Sequence, residues 1–518
     1  MAHYLGIDSS TQSMTGLIID TKSATMVAEE SINFDEHYAE AYGISNGVVD
    51  RGDGVVHSYP LMWVDALDRL LDTLRGSGHD LSQVAAVAGS GQQHGTVYLN
   101  DKAASRLANL KPHIPLASQL EGTFSRKTAP IWMDSSTSDQ CREIESAVGG
   151  THALMTLTGN TAFERFSGPQ IRKFYQESPD AYENTAYIGL VSSFIASVLA
   201  GRLVPVDAGD GSGTNLMDIK TRDWSTAAQD ATAPNLSDRM LSVTASGTPV
   251  GPIHTCFVER YGFASDCLVL PFSGDNPCSL IGLGLVEPGH VALSLGTSDT
   301  LFACMAEPRV SEDGEGCLFA SPDDNHYMAL ICYMNGSLAR EAIRNQHGLD
   351  WDGFTDALRA SEPGNGGGLM LPYFDPEIVP SVPAGVVCHQ LDDTDASGNV
   401  RAVIEAQAIS SHIHSQWMGV DITSLFVTGG ASTNEEILKI FANVHGCPVH
   451  RFETTNAAAL GAALRAYQGH RSDVPWPEIV DPFCQPVAGS TIEPDPSTRD
   501  TYDDLIDTYE KIENAHTA

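Results

Sequence analysis

An apolar strand, a turn of small polar residues and a second apolar strand occur twice in this chain. The first set is Tyr4–Ile7, Asp8-Ser9-Ser10-Thr11 and Thr15–Ile19. The second is His290–Leu295, Gly296-Thr297-Ser298-Asp299-Thr300 and Leu301–Cys304. Each reads as a β-hairpin. The echo is short and by itself fits an internal repeat or coincidence equally well. The segments beyond each hairpin narrow the architecture. Pro60–Leu74 carries Met62, Ala66, Leu67, Leu70, Leu71 and Leu74 at helical spacing. Leu81–Ala88 leads into a buried-type strand that ends in Gly89-Ser90-Gly91-Gln92-Gln93-His94-Gly95. Later, Cys267–Phe272 reads as a strand, Ala402–Met418 as a helix and Leu425–Thr428 as a strand, and Gly429-Gly430-Ala431-Ser432 opens a helix over Asn434–His445. Ala457–Tyr467 is a helix of small residues suited to close packing, Val474–Pro496 a proline-rich arm, and Tyr502–Asn514 a final helix. Strands alternating with helices define an α/β protein.

At 518 residues the chain exceeds what one hydrophobic core usually supports. The expected division is 1–265 and 266–518. The net charge of −37 makes nucleic acid and anionic membranes poor partners, because both need clustered Lys and Arg. It also repels ATP at long range, so any nucleotide site would have to be built locally from backbone amides and a divalent cation. Solubility or salt adaptation accounts for the charge without any functional role. The start, MAHYLGIDSS, has neither the basic nor the apolar region of a signal peptide, and no stretch is apolar enough to span a membrane. The 10 cysteines form no Cys-x-x-Cys pair, which argues against structural zinc and for reduced thiols in a cytoplasmic protein.

Several motif matches fail on context. Gly89-Ser90-Gly91 through Gly95 approximates a dinucleotide fingerprint, but its third glycine is one place late and no acidic residue follows at ribose distance. Gly43-Ile44-Ser45-Asn46-Gly47 fits the hydrolase nucleophile pattern without the strand and helix that would strain its serine. His412 and His414 lie two apart on a helix and so point to different faces. No Walker phosphate loop is present.

Three turns are suited to phosphate, which consecutive amides can hold where small residues let the backbone come close. They are Asp8–Gln12, whose carboxylate suits a hydrated Mg²⁺, Gly296-Thr297-Ser298, and Gly429-Gly430-Ala431-Ser432. Each alone is ordinary turn chemistry; all three in this order is the stronger signal. Ser273-Gly274-Asp275-Asn276-Pro277 sets a carboxylate on a glycine turn at a strand end, placed to accept a proton from a hydroxyl, although an Asx turn before proline reads the same way.

These elements together resemble the FGGY family of carbohydrate kinases. The segments that carry the likeness are LMWVDALD (61–68), SGQQHG (90–95), WMDSSTSDQCR (132–142), ERFSG (164–168), DGSGTNL (210–216), SGDNP (273–277), SLGTSDTLF (294–302) and NGSLAREAIRN (335–345). It runs from the first strand to at least residue 468, and is sharpest toward animal members acting on D-xylulose.

The resemblance implies two actin-like, ribonuclease H-like domains closing over a cleft, with sugar bound mainly by the first and ATP by the second. It implies ATP and Mg²⁺ as cofactors, and Asp275 as general base for the 5-hydroxyl of D-xylulose. His94, Arg165, Asp275 and Asn276 would bind the sugar. Asp8, Thr11, Gln12, Gly296 and Thr297 would surround the phosphates, with Asp8 on the metal through water, and Trp351, Gly430, Ala431 and Asn434 would hold the nucleoside. In one place the chain departs from many bacterial members: Pro372-Tyr373 is followed by Phe374-Asp375-Pro376-Glu377 rather than Gly-Glu-Arg-Thr/Ser-Pro. A kinase for another ketose or polyol, such as ribulose or glycerol, is the near alternative. A non-catalytic sugar and ATP sensor and a filament-forming actin-like ATPase are more distant ones. The intact Asp275 speaks against the sensor, and His94 and Arg165 against the bare ATPase. A monomer and a homodimer both remain open.

Overall fold

The structure, a computed structural model, describes residues 2–453 and 456–517. The chain condenses into two compact units. One holds residues 1–286, 319–327 and 456–484, and the other holds 287–318, 328–455 and 485–518.

In the first unit, His3–Ser9 and Ser13–Asp20 form the expected hairpin, with Thr25–Asn33 as a third antiparallel strand. Val84–Gly91 lies parallel to His3–Ser9 on its other side. The expected strand over 267–272 is two short pieces, Leu268–Val269 and Ser273–Gly274, both parallel to Val84–Gly91. Pro271 between them has no N–H for the ladder, and its carbonyl accepts from the Arg465 guanidinium at 3.0 Å. Register then aligns the site: Asp8 pairs with Ser90, and Ser90 with Ser273. The ends of three parallel strands thus bring Asp8 and Asp275 to the same edge, although they lie far apart in sequence.

One face of this sheet is covered by Pro60–Gly76, whose apolar stripe is buried as its spacing predicts. The helix Ala457–His470 packs against the unit's other small-residue surfaces. Its glycines allow the close approach. A Cβ on Gly461 would lie 1.8 Å from the Cys278 carbonyl oxygen, and one on Gly6 2.0 Å from that of Ala459. Arg465 of this helix is fully buried, donating to the Gly89 carbonyl at 3.2 Å and pairing with Asp207 at 3.2 Å.

In the second unit, His290–Leu295 and Asp299–Met305 form the second hairpin. Ser424–Thr428 and Val449–Arg451 extend it in parallel. The long helix is Ala396–Ile413. It starts earlier than expected because Asp395 caps Gly398 N at 3.0 Å, and it ends before a separate turn at Gln416–Met418. Its end explains the two histidines. His412 packs on the His445 ring, while His414 bridges Glu315 and Glu513 at 2.8 and 3.1 Å. The arm contains a short helix, Trp476–Val480, and the terminal helix runs over Arg499–Thr517. Tyr502 of that helix donates to Glu405 at 3.0 Å. No helix among the described residues is long and apolar enough to cross a membrane.

Candidate active site

Asp275 is the first residue of the helix Asp275–Gly282, directly after the strand Ser273–Gly274. The turn expected here is thus a strand-to-helix junction. Gly274 makes it possible, since a Cβ there would lie 3.0 Å from Gln93 Cγ and 3.1 Å from Asp210 Oδ1. Asp275 Oδ1 accepts from the backbone N–H of Asn276 at 2.9 Å and of Gln93 at 3.2 Å. Asn276 Nδ2 donates to Gln93 Oε1 at 3.0 Å, fixing both amides. One carboxylate oxygen is therefore anchored, and the other is left for chemistry. Burial raises the Asp275 carboxyl to about 6, against the lowering effect of those N–H donors.

Two more carboxylates share this region. Asp8 receives a hydrogen bond from Ser90 Oγ at 2.7 Å. Burial, and then the charge of Asp275, push it up to about 7. Asp210 is fully buried, is bonded to Ser192, and lies well above the usual carboxylate range, chiefly from burial. Asp8 and Asp210 thus both feel the Asp275 charge, and burial and repulsion together disfavour ionising all three at once.

His94 occupies a left-handed backbone conformation with φ of 72°. Its Nδ1 lies 2.7 Å from the Gly213 carbonyl oxygen, so Nδ1 carries the proton and Nε2 presents a lone pair. Burial, and then Arg165, lower its pKa to about 3, which keeps the ring neutral. The ring stacks on Phe166 with centroids 4.2 Å apart. Arg165 lies over the Phe163 ring at 5.0 Å. A neutral acceptor with a cation near it can orient a polyhydroxylated substrate.

Thr11 and Gln12 sit in the first hairpin turn, where Trp132 Nε1 donates to Thr11 Oγ1 at 2.8 Å. Gly47 is pressed against this turn, for a Cβ there would be 2.0 Å from the Thr11 carbonyl oxygen.

Within the second unit, a pocket of ≈ 930 Å³ gathers Gly296, Thr297, Trp351, Gly430, Ala431 and Asn434. All the nucleotide-side residues expected from the second half of the chain thus line one cavity. Its floor is tight: a Cβ on Gly429, where φ is 87°, would lie 2.5 Å from the Leu295 carbonyl oxygen. Asn434 caps the helix Glu435–His445 and donates to Thr355 Oγ1 at 2.9 Å. Trp351 is 45% exposed, with the Arg344 guanidinium 4.4 Å over its ring. The Gly296-Thr297-Ser298 turn is braced by Arg340, which forms a two-bond pair with Asp299 at 3.0 Å each and donates to the Gly296 carbonyl at 3.0 Å.

Residues 127–282 match the N-terminal domain, and residues 291–468 the C-terminal domain, of the FGGY family of carbohydrate kinases. The xylulose kinase of Rattus norvegicus is 42% identical over 98% of this chain and 96% of its own length.

The chain belongs to the FGGY family of carbohydrate kinases.

Xylulose kinase 2 of Arabidopsis thaliana is 41% identical over 90% of this chain and 87% of its own. Among solved structures, a xylulose kinase from Rhodospirillum rubrum aligns with a TM-score of 0.83 at 19% identity, over 99% of this chain and 98% of that one. A Plasmodium falciparum glycerol kinase with ADP aligns at 0.79 and 16% identity, over 99% and 98%. The two-domain actin-like fold is therefore shared, and the fold alone does not select the substrate.

Some site features of this carbohydrate kinase escaped the sequence. Asp210 lies in the run Asp207-Ala208-Gly209-Asp210-Gly211, and its spacing from Asp207 was the one available signal. Gln93 contributes its backbone N–H, which no side-chain motif reveals. Trp132 reaches Thr11 across a long sequence gap. The segment that departs from the bacterial pattern also has a clear local role. Glu377 accepts from the backbone N–H groups of Met334, Asn335 and Ile378 at 2.6, 3.1 and 2.7 Å, pinning the loop that precedes the Arg340 helix.

Proposed function

We propose that this carbohydrate kinase transfers the γ-phosphoryl group of ATP to the 5-hydroxyl of D-xylulose, giving D-xylulose 5-phosphate and ADP. The substrate rests on sequence kinship over nearly the whole chain with relatives named xylulose kinase. The chemistry rests on one observation above all: Asp275 has one oxygen anchored by two N–H donors and a carboxyl raised to about 6.

In this mechanism the 5-hydroxyl loses its proton to the free oxygen of Asp275 as the new O–P bond forms. The bond from the γ-phosphorus to its bridging oxygen breaks, and ADP leaves. A base with a pKa near the working pH contributes about 10²–10⁴ in rate. His94 Nε2 accepts from one sugar hydroxyl, while Arg165 and Asn276 donate to others. A sugar that leaves these groups unpaired is rejected, because buried polar groups without partners are costly. Trp351, Gly430, Ala431 and Asn434 hold the nucleoside, and Gly296 and Thr297 with Asp8, Thr11 and Gln12 serve the phosphates. The donor chemistry of Asp8, a carboxylate oxygen pushed up by burial and then by the Asp275 charge, fits Mg²⁺ through water. When bound, such an ion neutralises charge on the transferring phosphoryl group. The first unit would act mainly on sugar and the second mainly on ATP. A cytoplasmic location fits the single, reduced cysteines.

A coupled ADP-release assay with Mg·ATP and a panel of D-xylulose, D-ribulose, L-ribulose, D-fructose and glycerol tests the proposal. It predicts a clear preference for D-xylulose in kcat/KM. Preference for another member would overturn the substrate while leaving a kinase. Silence with every member would remove the catalytic function altogether.

A further inference from the structure

A second polar pocket of the first unit takes no part in the chemistry above. It measures ≈ 540 Å³, and Arg51, Arg126, Lys127 and Lys173 line it. Such a concentration of cations is unusual in a chain of net charge −37 with 29 Lys and Arg against 66 Asp and Glu. Arg51, Arg126 and Lys127 form no ion pair among the described residues, so their charge is left unneutralised by the protein.

The cations are held in place. Arg51 Nη2 donates to Thr128 Oγ1 at 3.0 Å, and His57 Nδ1 lies 2.8 Å from the same oxygen. Arg126 Nη2 lies 3.3 Å from His57 Nε2, so that nitrogen is the acceptor and Nδ1 carries the single proton. The imidazole is therefore neutral and acts as a strut between the two guanidinium groups. Burial, and then the charges of Arg126 and Arg51, lower its pKa to about 3, in agreement with that tautomer. Arg126 also rests against the packed pair of Tyr98 and Phe174 rings, 5.3 and 4.9 Å from their centroids, and its Nη1 is buried without a hydrogen-bond partner among the described residues. A buried, unsatisfied guanidinium N–H is costly and calls for an acceptor.

The two carboxylates at this pocket do not supply one. Asp134 is consumed by the N–H groups of Val56 and Ser136 and by Gln170 Nε2, at 3.1, 3.0 and 2.8 Å. Glu177 is 62% exposed and only 3.8 Å from Lys173. Lys173 itself donates to Ser136 Oγ at 2.7 Å. Tyr59 and Phe174 give the pocket an apolar wall.

We infer that this pocket is a binding site for a small phosphorylated molecule, its phosphate dianion held by Arg51, Arg126 and Lys127 and its organic part against Tyr59 and Phe174. Forked guanidinium groups match phosphate oxygens in pairs. The volume exceeds that of a bare phosphate and falls within the range of small-ligand sites.

Isothermal titration of the full chain tests this, with glycerol 2-phosphate and inorganic phosphate as probes and sodium chloride at matched ionic strength as control. Saturable binding of one equivalent of glycerol 2-phosphate is expected, unaffected by saturating ATP and retained in Asp275→Asn. Lys127 is exposed, so Lys127→Gln is expected to fold normally and to weaken binding about tenfold, the loss of one charged hydrogen bond. Arg126→Gln should weaken it further, with Arg126→Lys restoring part, and circular dichroism confirming the fold. Tighter binding of the monoester than of inorganic phosphate supports an organic ligand, and equal binding supports free phosphate at the same site. Absence of saturable binding, displacement by ATP, or affinity unchanged by Lys127→Gln and Arg126→Gln would overturn the inference.

Discussion

Replacing Asp275 with Asn should make the ligand-free protein more stable while abolishing most of its turnover. In the native protein, burial moves the carboxyl from 3.8 to about 6. Ionising it at pH 8 thus opposes folding by about 3 kcal/mol, at 1.36 kcal/mol for each pH unit of displacement. Because the group is partly exposed, solvent screening reduces this to about 1–2 kcal/mol. The side-chain amide introduced by Asp275→Asn would keep an oxygen for the N–H groups of Gln93 and Asn276, so the anchoring is retained. For a chain of 518 residues, at about 2.1 cal/mol/K of unfolding entropy per residue, the gain corresponds to a rise in Tm of about 1–2 °C.

The sign fixes the pH window. A carboxyl raised in the folded state favours folding when protonated, and this advantage is lost as pH rises from its unfolded value through its folded one. The Tm difference between variant and native protein should therefore be negligible near pH 4 and open between pH 4 and 6. It should widen slightly to pH 7, because Asp8, raised to about 7 by burial and then by the Asp275 charge, loses the latter contribution in the variant. Differential scanning calorimetry in EDTA over pH 4–8 measures this, and a coupled assay on the same samples should show turnover reduced by about 10²–10⁴. A variant less stable at pH 8, a difference independent of pH, or turnover within about tenfold of native would refute the reasoning.

Trp351→Ala should raise KM for ATP about tenfold with little change in kcat, because it removes an aromatic wall from the cavity proposed to hold the nucleoside; steady-state kinetics at saturating sugar will show it. His414 gives a second pH effect. Burial lowers its pKa, but Glu315 and Glu513 overcome that and push it up to about 9. The stability it confers is complete below about pH 6.5 and is lost as pH rises through 9, so urea midpoints should fall over that range and His414→Gln should flatten the slope. Gly461→Ala should destabilise the first unit by about 3 kcal/mol or more, since its Cβ would meet the Cys278 carbonyl oxygen at 1.8 Å and drive two helices apart. Urea denaturation will measure the loss.

Local pattern carried the sequence reading a long way. The strand His290–Leu295 was legible to the residue, because an apolar run ended at a glycine turn. The helix Pro60–Gly76 followed from spacing alone, and small residues announced the close packing of Ala457–His470. Gly296, Thr297, Gly430 and Ala431 come together at one cavity because glycine turns after strands are local features that a sequence displays. What escaped was set by distant partners. The break in the strand after Val269 depends on Pro271 serving a guanidinium from residue 465. The anchoring of Asp275 needs the N–H of Gln93, a group that every residue but proline possesses. The tautomer of His94 is set by a carbonyl at Gly213, and the acidity of Asp210 by burial, neither of which has a sequence period. Glu377 looked like a gap in a motif and is instead the acceptor that pins a loop.

Phosphorus NMR of the products formed from ATP and D-xylulose tests the central claim most directly. Transfer to the 5-hydroxyl predicts ADP together with one equivalent of a phosphate monoester whose resonance is split by the two protons on C5. ADP with inorganic phosphate alone, or a monoester coupled to a different carbon, would contradict it.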